Sequence, residues 1–255
     1  MRTLIVVLVF IFFATCIYGE GNWFNESSEH FIIYYKSTPD LFITKVIDSA
    51  EYCYDQIADE LGFRRFDFWL WDNRAKIYVY DTAAEYQQVT GLPSWSQGAA
   101  FPKDKIIHTF PAKQGFFDNI LPHEMSHIIF REFVGFNNYA VPLWLDEGVA
   151  CYHDKQARAQ SRKIVQDAMK KEILISPENL ANINPLVMTN KSEVNLFYSE
   201  SLSLIDYLIS EFGRDSFVLF CQGLRDKKDL EAALSYAYPF NSLADLEEAW
   251  RHYLK

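Results

Sequence analysis

Two histidines stand four positions apart around a glutamate in this chain, in the order His123, Glu124, Met125, Ser126, His127. On a helix, side chains at positions i and i+4 lie over one another, so both imidazoles can reach one cation. Glu124 lies about 100° around the helix from His123, where its carboxylate can contact a metal-bound water but cannot join both histidines as a ligand. The spacing therefore predicts a metal site with Glu124 as a general base.

The neighbouring residues favour a helix at this place. Pro122 precedes the motif, at the position where proline is tolerated as the first helical residue. Ile128, Ile129 and Phe133 then continue an apolar face that would hold the helix in a core. The alternative is an accidental match in an ordinary helix, and this context argues for the metal site.

A third protein ligand is needed if a zinc ion is to catalyse, since the fourth position is left to water. Glu147 is the candidate, because it lies in an apolar stretch after Pro142 that is predicted to form a second buried helix. A buried carboxylate needs a partner, and a metal would supply one. The adjacent Asp146 is predicted to face solvent at the helix start, where acids favour the dipole. We therefore expect one zinc ion per chain on His123, His127 and Glu147.

The two motifs together resemble those of the gluzincin metallopeptidases, the thermolysin-like superfamily that includes the zinc aminopeptidases. Trp144–Ala150 has their Trp-Leu-x-Glu-Gly-x-Ala pattern, and Gly98–Phe101 lies where the aminopeptidases carry the edge strand that holds substrate. Phe197–Leu204 resembles the segment with their transition-state tyrosine. The resemblance implies a zincin-like fold, hydrolysis of peptide bonds, and Tyr198 as the donor to the oxyanion.

The chain also departs from this family's pattern at two places. The aminopeptidases bind the free α-amine of the substrate with a glutamate of the edge strand, whereas this strand offers Ala100 and Phe101. An endopeptidase is therefore favoured. Thermolysin-like enzymes place an acid one turn after the glutamate ligand to orient a histidine, and here that residue is Cys151. Asp146 or a backbone carbonyl is expected to orient the histidine instead, and competition of Cys151 for zinc is the less favoured alternative.

Hydrophobic patterns predict strands before the metal motif and helices after it. Phe31–Tyr35 and Lys76–Tyr80 have the composition of strands. Leu41–Leu61 has helical spacing and ends before Gly62, a plausible cap. A hairpin is predicted around Pro102–Lys105.

This order of elements predicts a single α+β domain over residues 20–255. A strand-rich lobe would cover residues 20–115 and a mainly helical lobe residues 116–255. The active-site cleft is expected between the two lobes, where ligands usually bind.

The N-terminal segment, residues 1–19, has the pattern of a secretory signal peptide. A basic start at Arg2 is followed by the apolar stretch Leu4–Ile17 and by the small Gly19. The apolar stretch is shorter than the roughly 20 residues of a membrane-spanning helix. We therefore expect a secreted or periplasmic protein, which would be membrane-anchored if the signal were not cleaved.

Charge and cysteine content limit the classes of partner. The net charge is -10 and there is no basic cluster large enough to follow a phosphate backbone, which argues against nucleic-acid binding. The cysteines that remain after signal cleavage are Cys53, Cys151 and Cys221, and this odd number predicts one disulfide or none. His108 is expected to be an ordinary strand histidine.

The sequence thus predicts a secreted zinc peptidase that acts on peptides or proteins. Glu124 would move the proton of the attacking water and Tyr198 would stabilise the oxyanion. Two alternatives stay open: a catalytically silent scaffold or peptide-binding protein that keeps the zinc and the fold, and a metal-free structural domain.

Overall fold

The computed structural model describes residues 23–63, 69–92, 96, 98–111, 116–185 and 188–255. This part of the chain is mixed α/β, with a five-stranded sheet in its first half and a mostly helical C-terminal part, as the sequence predicts. The signal-peptide prediction for residues 1–19 lies outside the described residues. The strands are β1 (Phe24–Ser27), β2 (Phe31–Tyr35), β3 (Ala75–Val79), β4 (Gly98–Phe101) and β5 (Ile106–Thr109).

The strands lie in the order β1-β2-β3-β5-β4. The three central strands β2, β3 and β5 are parallel, whereas β1 and β4 run antiparallel to their neighbours at the two edges. The predicted hairpin is confirmed: β4 and β5 flank Pro102–Asp104, and Lys105 closes the turn with a φ of 54°. The hairpin makes β4 an edge strand, which leaves its outer main-chain groups for other partners.

The two faces of the sheet differ in composition. One face is apolar and belongs to the main core together with α1 and α3, through Phe31, Ile33, Ile77 and Ile107. On the other face, Tyr34 stacks on Tyr78 at 4.7 Å and Tyr78 on His108 at 5.3 Å between ring centroids. Nδ1 of His108 lies 2.8 Å from the Tyr80 hydroxyl, and burial lowers the pKa of His108 to about 4. His108 is therefore a neutral, buried strand histidine, as expected.

The helices begin after β2 and dominate the chain beyond β5. The predicted helix at Leu41–Leu61 is confirmed as α1, and Gly62 follows it with a φ of 78°, a left-handed conformation that suits a helix end. The helices are α1 (Asp40–Glu60), α2 (Ala83–Thr90), α3 (Leu121–Val134), α4 (Leu143–Cys151), α5 (Lys155–Lys170), α6 (Pro177–Leu180), α7 (Lys191–Lys227), α8 (Leu230–Ala237) and α9 (Leu243–Tyr253).

Helix α7 is the longest of these and consists of two helical parts. Gly213 separates them with a φ of 81° and a ψ of 165°, values that interrupt the helix. The first part is deeply buried and contains Phe197, Leu204 and Leu208, each fully inaccessible to solvent. It forms the surface on which α4 and α5 pack.

Helix α4 approaches this surface closely at Gly148. A Cβ atom on Gly148 would lie 2.4 Å from the carbonyl oxygen of Ser201 and 2.8 Å from Cγ1 of Ile205. Both distances are shorter than van der Waals contact, so only glycine allows this separation of the two helices. The position of α4 therefore depends on the absence of a side chain at Gly148.

A buried carboxyl lies on the same part of α7. Glu200 is fully inaccessible, and its Oε1 accepts a hydrogen bond of 3.0 Å from the backbone N–H of Ile175. Its Oε2 is buried without a hydrogen-bond partner among the described residues. Burial raises the pKa of Glu200 to about 8, so the carboxyl holds its proton at neutral pH.

None of the helices in the described part of the chain combines the length and the apolar composition that crossing a bilayer demands.

Substitution of Gly148 tests the close approach of the two helices. Gly148→Ala is expected to lower the free energy of unfolding by about 1–3 kcal/mol, because the methyl group must push α4 away from Ser201. Gly223→Ala is the matched control, since its Cβ would meet Ala233 at the less severe distances of 3.1 and 3.2 Å. Denaturant unfolding measures both variants. A Gly148→Ala protein as stable as the unsubstituted chain would contradict the proposed packing.

The buried carboxyl of Glu200 predicts a pH dependence of stability. Its pKa rises from 4.5 to about 8 on folding, so the stability it contributes is present below pH 4.5 and is lost as the pH rises through about 8. Glu200→Gln keeps the acceptor for Ile175 and cannot ionise. The Tm of Glu200→Gln minus the Tm of the unsubstituted protein is therefore expected to increase by on the order of 5 °C between pH 5 and pH 8.

Thermal unfolding at several pH values measures this difference, with Glu211→Gln, an exposed carboxylate on the same helix, as the control. The other titrating groups are common to all three proteins and cancel in the comparison. Parallel Tm curves for Glu200→Gln and the unsubstituted protein would rule out the buried, ionisable carboxyl.

Candidate metal centre and active site

The two motif histidines lie at the start of α3 with their rings turned toward one another. Pro122 occupies the first turn as predicted, and the apolar positions of the helix, among them Met125 and Ile128, are fully buried. Nε2 of His123 lies 3.3 Å from Nε2 of His127, and the rings are nearly perpendicular. The helix therefore presents two nitrogen atoms to one point, as the i, i+4 spacing predicts.

Glu147 reaches the same point from α4. Its Oε2 lies 3.6 Å from Nε2 of His123 and 3.8 Å from Nε2 of His127, and it is buried without a hydrogen-bond partner among the described residues. One ligand atom from each of the three residues falls within 4.8 Å of the others. Donor atoms bound to a tetrahedral zinc ion at about 2.0–2.1 Å lie about 3.3–3.4 Å apart. The donor set and its spacing thus fit a zinc ion.

The prediction that Asp146 faces solvent is wrong. Asp146 is buried, with 8% of its surface exposed, and its Oδ1 accepts a hydrogen bond of 3.1 Å from Nδ1 of His127. Its Oδ2 lies 2.7 Å from Nη2 and 2.8 Å from Nε of Arg131. Burial alone would raise the pKa of Asp146, but the charges of His127 and Arg131 lower it. The carboxylate is therefore ionised, and it orients His127, which was the other role considered for it.

Arg131 extends this interaction beyond the metal centre. It lies one turn after His127 on α3, and its Nη1 donates to the carbonyl oxygen of Asn138 at 3.3 Å. The side-chain amide of Asn138 donates in turn to the carbonyl oxygens of Val134 at 2.9 Å and of Leu224 at 2.8 Å. A chain of hydrogen bonds thus connects a candidate metal ligand to the second part of α7.

Cys151 contacts the other histidine of the pair. Its Sγ lies 3.7 Å from Nδ1 of His123, on the side of the ring opposite Nε2. The thiol is therefore outside the group formed by His123, His127 and Glu147. This position excludes Cys151 as a ligand of the same ion in this arrangement and leaves it as a neighbour of a candidate ligand.

The carboxylate of Glu124 contacts the edge of the sheet. Its Oε2 accepts a hydrogen bond of 2.8 Å from the backbone N–H of Ala100 on β4. The strand comes this close because Gly98 has no side chain: a Cβ there would lie 2.5 Å from Cγ2 of Ile120. Glu124 is thus beside the candidate ligands without being one of them, as the helical geometry predicts.

Tyr198 lies on α7, near these groups and partly buried. Burial raises the pKa of its hydroxyl above the usual range, and the neighbouring carboxylates of Glu147 and Glu124 raise it further. The phenol therefore stays protonated and can donate a hydrogen bond.

The three described cysteines are free thiols. Cys53 and Cys221 are buried in helices, and Cys151 is partly exposed. The prediction of one disulfide or none agrees with this finding for the described part of the chain.

Two residues of the site are absent from the sequence-based expectations. Arg131 and Asn138 both contribute to the position of Asp146 or of its partners. Arg131 could have been identified, because it lies four positions after His127 on the same face of α3 and its charge complements an acid on a neighbouring helix. Asn138 carries no such signal, since it follows the helix and its contacts are with backbone groups.

The chain was found to match a known protein family. The family profile described as the peptidase MA superfamily matches residues 71–255, well over half of the chain, whereas none of the curated proteins matches. This range includes β3, the edge strand β4 and every helix from α2 onward. The resemblance to the gluzincins is thus confirmed at the level of the family, which points to a peptidase. The chain belongs to the peptidase MA superfamily, the clan of the gluzincin metallopeptidases.

Proposed function

We propose that this protein is a zinc-dependent endopeptidase in which His123, His127 and Glu147 hold one zinc ion. The observation that carries the proposal is the spacing of two imidazole nitrogens and one largely buried carboxylate oxygen around a common point. The buried Oε2 of Glu147 strengthens it, because an ionised carboxylate oxygen without a hydrogen-bond partner is costly unless a cation balances it. A zinc ion there would polarise the scissile carbonyl and lower the pKa of its water toward about 7.

Glu124 is proposed to be the general base. Its carboxylate lies beside the three ligand atoms and is held by the N–H of Ala100, so it can take a proton from the attacking water and then give it to the leaving amine. The hydrogen bond from Ala100 fixes one carboxylate oxygen and leaves the other available for this transfer. Because β4 is also the strand on which substrate is proposed to lie, the base is close to the bond to be cleaved.

The substrate is proposed to be an extended peptide that pairs with β4 in a cleft between the sheet and the helical part. β4 is an edge strand, and an added strand would gain main-chain hydrogen bonds that do not depend on side-chain identity. Ala99, Ala100 and Phe101 provide no carboxylate for a free α-amine, which favours cleavage within a chain. Export directed by a signal peptide at residues 1–19 would place this activity outside the cytoplasm.

Tyr198 is proposed to stabilise the tetrahedral oxyanion. Its hydroxyl remains protonated next to Glu147 and Glu124, so it can donate to an oxygen on which negative charge develops. It belongs to α7, which packs against α4, and its distance from Glu147 is therefore fixed by helix packing.

Glu124→Gln separates the proton transfer from metal binding. The variant is expected to bind one zinc per chain while kcat/KM falls by about 10²–10⁴-fold, because the amide cannot accept the proton. Metal analysis and cleavage of a fluorogenic peptide library with acetylated N-termini measure the two properties. Glu193→Gln, an exposed glutamate on α7, is the matched control and should leave both unchanged.

Three outcomes would overturn parts of this proposal. Native cleavage by the zinc-loaded Glu124→Gln protein would exclude Glu124 as the base. A zinc-loaded native protein that cleaves neither acetylated peptides nor peptides with a free amino end would support the alternative of a catalytically silent zinc scaffold. Cleavage only of peptides with a free amino end would contradict the endopeptidase assignment.

Tyr198→Phe tests the oxyanion donor. Removal of the hydroxyl is expected to lower kcat by about 10²-fold with little change in KM, because the hydrogen bond forms only as charge develops in the transition state. Zinc affinity should be unchanged. Steady-state kinetics measure the effect, with Tyr207→Phe, a buried tyrosine on the same helix, as the control. A similar loss in both variants would indicate altered packing of α7 instead.

A further inference from the structure

The Nδ1 atoms of the two candidate histidine ligands have different partners. His127 donates from Nδ1 to the ionised carboxylate of Asp146, whereas Nδ1 of His123 faces the sulfur of Cys151 at 3.7 Å. No other hydrogen-bond partner of that nitrogen is found among the described residues. Cys151 is therefore the described residue in contact with Nδ1 of His123.

We propose that Cys151 is the positioning residue for His123, and that its sulfur accepts the Nδ1–H of the ring when Nε2 binds zinc. The inference rests on the proposed function, because it takes zinc as the bound ion. A histidine that gives its Nε2 lone pair to a metal carries its proton on Nδ1, and an acceptor there fixes both the tautomer and the ring orientation. Cys151 is the residue in the position to provide that acceptor.

The geometry of α4 explains why Cys151 lies beside His123. Cys151 follows Glu147 by four positions on α4, so both side chains lie on one face of the helix. This face of α4 would therefore supply Glu147 as a ligand of the ion and Cys151 as the hydrogen-bond acceptor for Nδ1 of His123. Close packing at Gly148 holds α4 against α7, and α4 also packs directly on α3, which carries His123.

The chemical identity of the acceptor sets the strength of this support. Sulfur is a weak hydrogen-bond acceptor, and a carboxylate accepts a shorter and stronger bond. The thiol is therefore expected to hold His123 more loosely than Asp146 holds His127. Loss of an orienting partner commonly lowers metal affinity by about 10–100-fold, and a thiol belongs at the lower end of that range.

Zinc affinity measured by competition with a chromophoric chelator tests the proposal without reference to catalysis. Cys151→Ala is expected to weaken zinc binding by on the order of 10-fold, and Cys151→Asp to restore or exceed the native affinity, because aspartate is a better acceptor. The matched control is Cys53→Ala, a buried thiol on α1, which should leave the affinity unchanged. Thermal unfolding of each metal-free variant identifies those that do not fold. If Cys151→Ala fails to fold, Cys151→Val replaces it, because valine has a similar volume and no acceptor; if Cys151→Asp fails, Cys151→Ser replaces it, because the hydroxyl is an acceptor.

A second measurement reports on the orientation directly. In ¹⁵N NMR spectra of the zinc-loaded native protein, His123 is expected to carry its proton on Nδ1, and the Nδ1 shift should change in Cys151→Ala and not in Cys53→Ala. Equal zinc affinities for the native protein and Cys151→Ala, or an equal loss in Cys151→Ala and Cys151→Asp, would overturn the positioning role. A native protein that binds no zinc would instead overturn the proposed function.

Discussion

Helix α4 brings two adjacent carboxylates, Asp146 and Glu147, into largely buried positions, and neither is stable there without compensating positive charge. Burial of an isolated carboxylate costs several kcal/mol, so each must be paired or balanced. Asp146 has Arg131 and His127 as partners. Among the described residues, the Glu147 carboxylate has the two imidazoles within 4 Å, and the proposed ion would supply its counter-charge. The arrangement of the candidate metal centre thus follows from the need to balance the charges of these two carboxylates.

Close contacts of the backbone position the carboxylates of the site, and two glycines make these contacts possible. Gly148 lets α4 lie against α7 at a distance that a methyl group would prevent, and Gly98 lets β4 approach the start of α3. The first contact fixes Glu147 and the second fixes Glu124 at the edge of the sheet. Both glycines lie within or next to the motifs that carry the chemistry, because precise placement of a functional side chain requires close packing of the backbone that bears it.

The features that sequence could predict are those governed by local geometry. The i, i+4 histidines of α3, the helix α1 and the β4–β5 hairpin follow from period and turn chemistry, which a single segment determines. The predicted solvent-facing position of Asp146 is wrong because the preference of acids for helix starts is local, while its partners, His127 and Arg131, belong to another helix. The contact of Cys151 with His123 and the burial of Glu200 likewise depend on how helices pack, and no periodicity of one segment encodes that.

The chain of hydrogen bonds from His127 through Asp146, Arg131 and Asn138 to the carbonyl oxygen of Leu224 has a consequence for local opening. Its members lie on α3, on α4, on the connection between these two helices and on α7. The hydrogen bonds therefore couple the local opening of these segments. Proteins open in cooperative units whose members gain or lose hydrogen-exchange protection together. An ion held by His127 would therefore slow amide exchange as far away as the last turns of α7, which do not touch the ion.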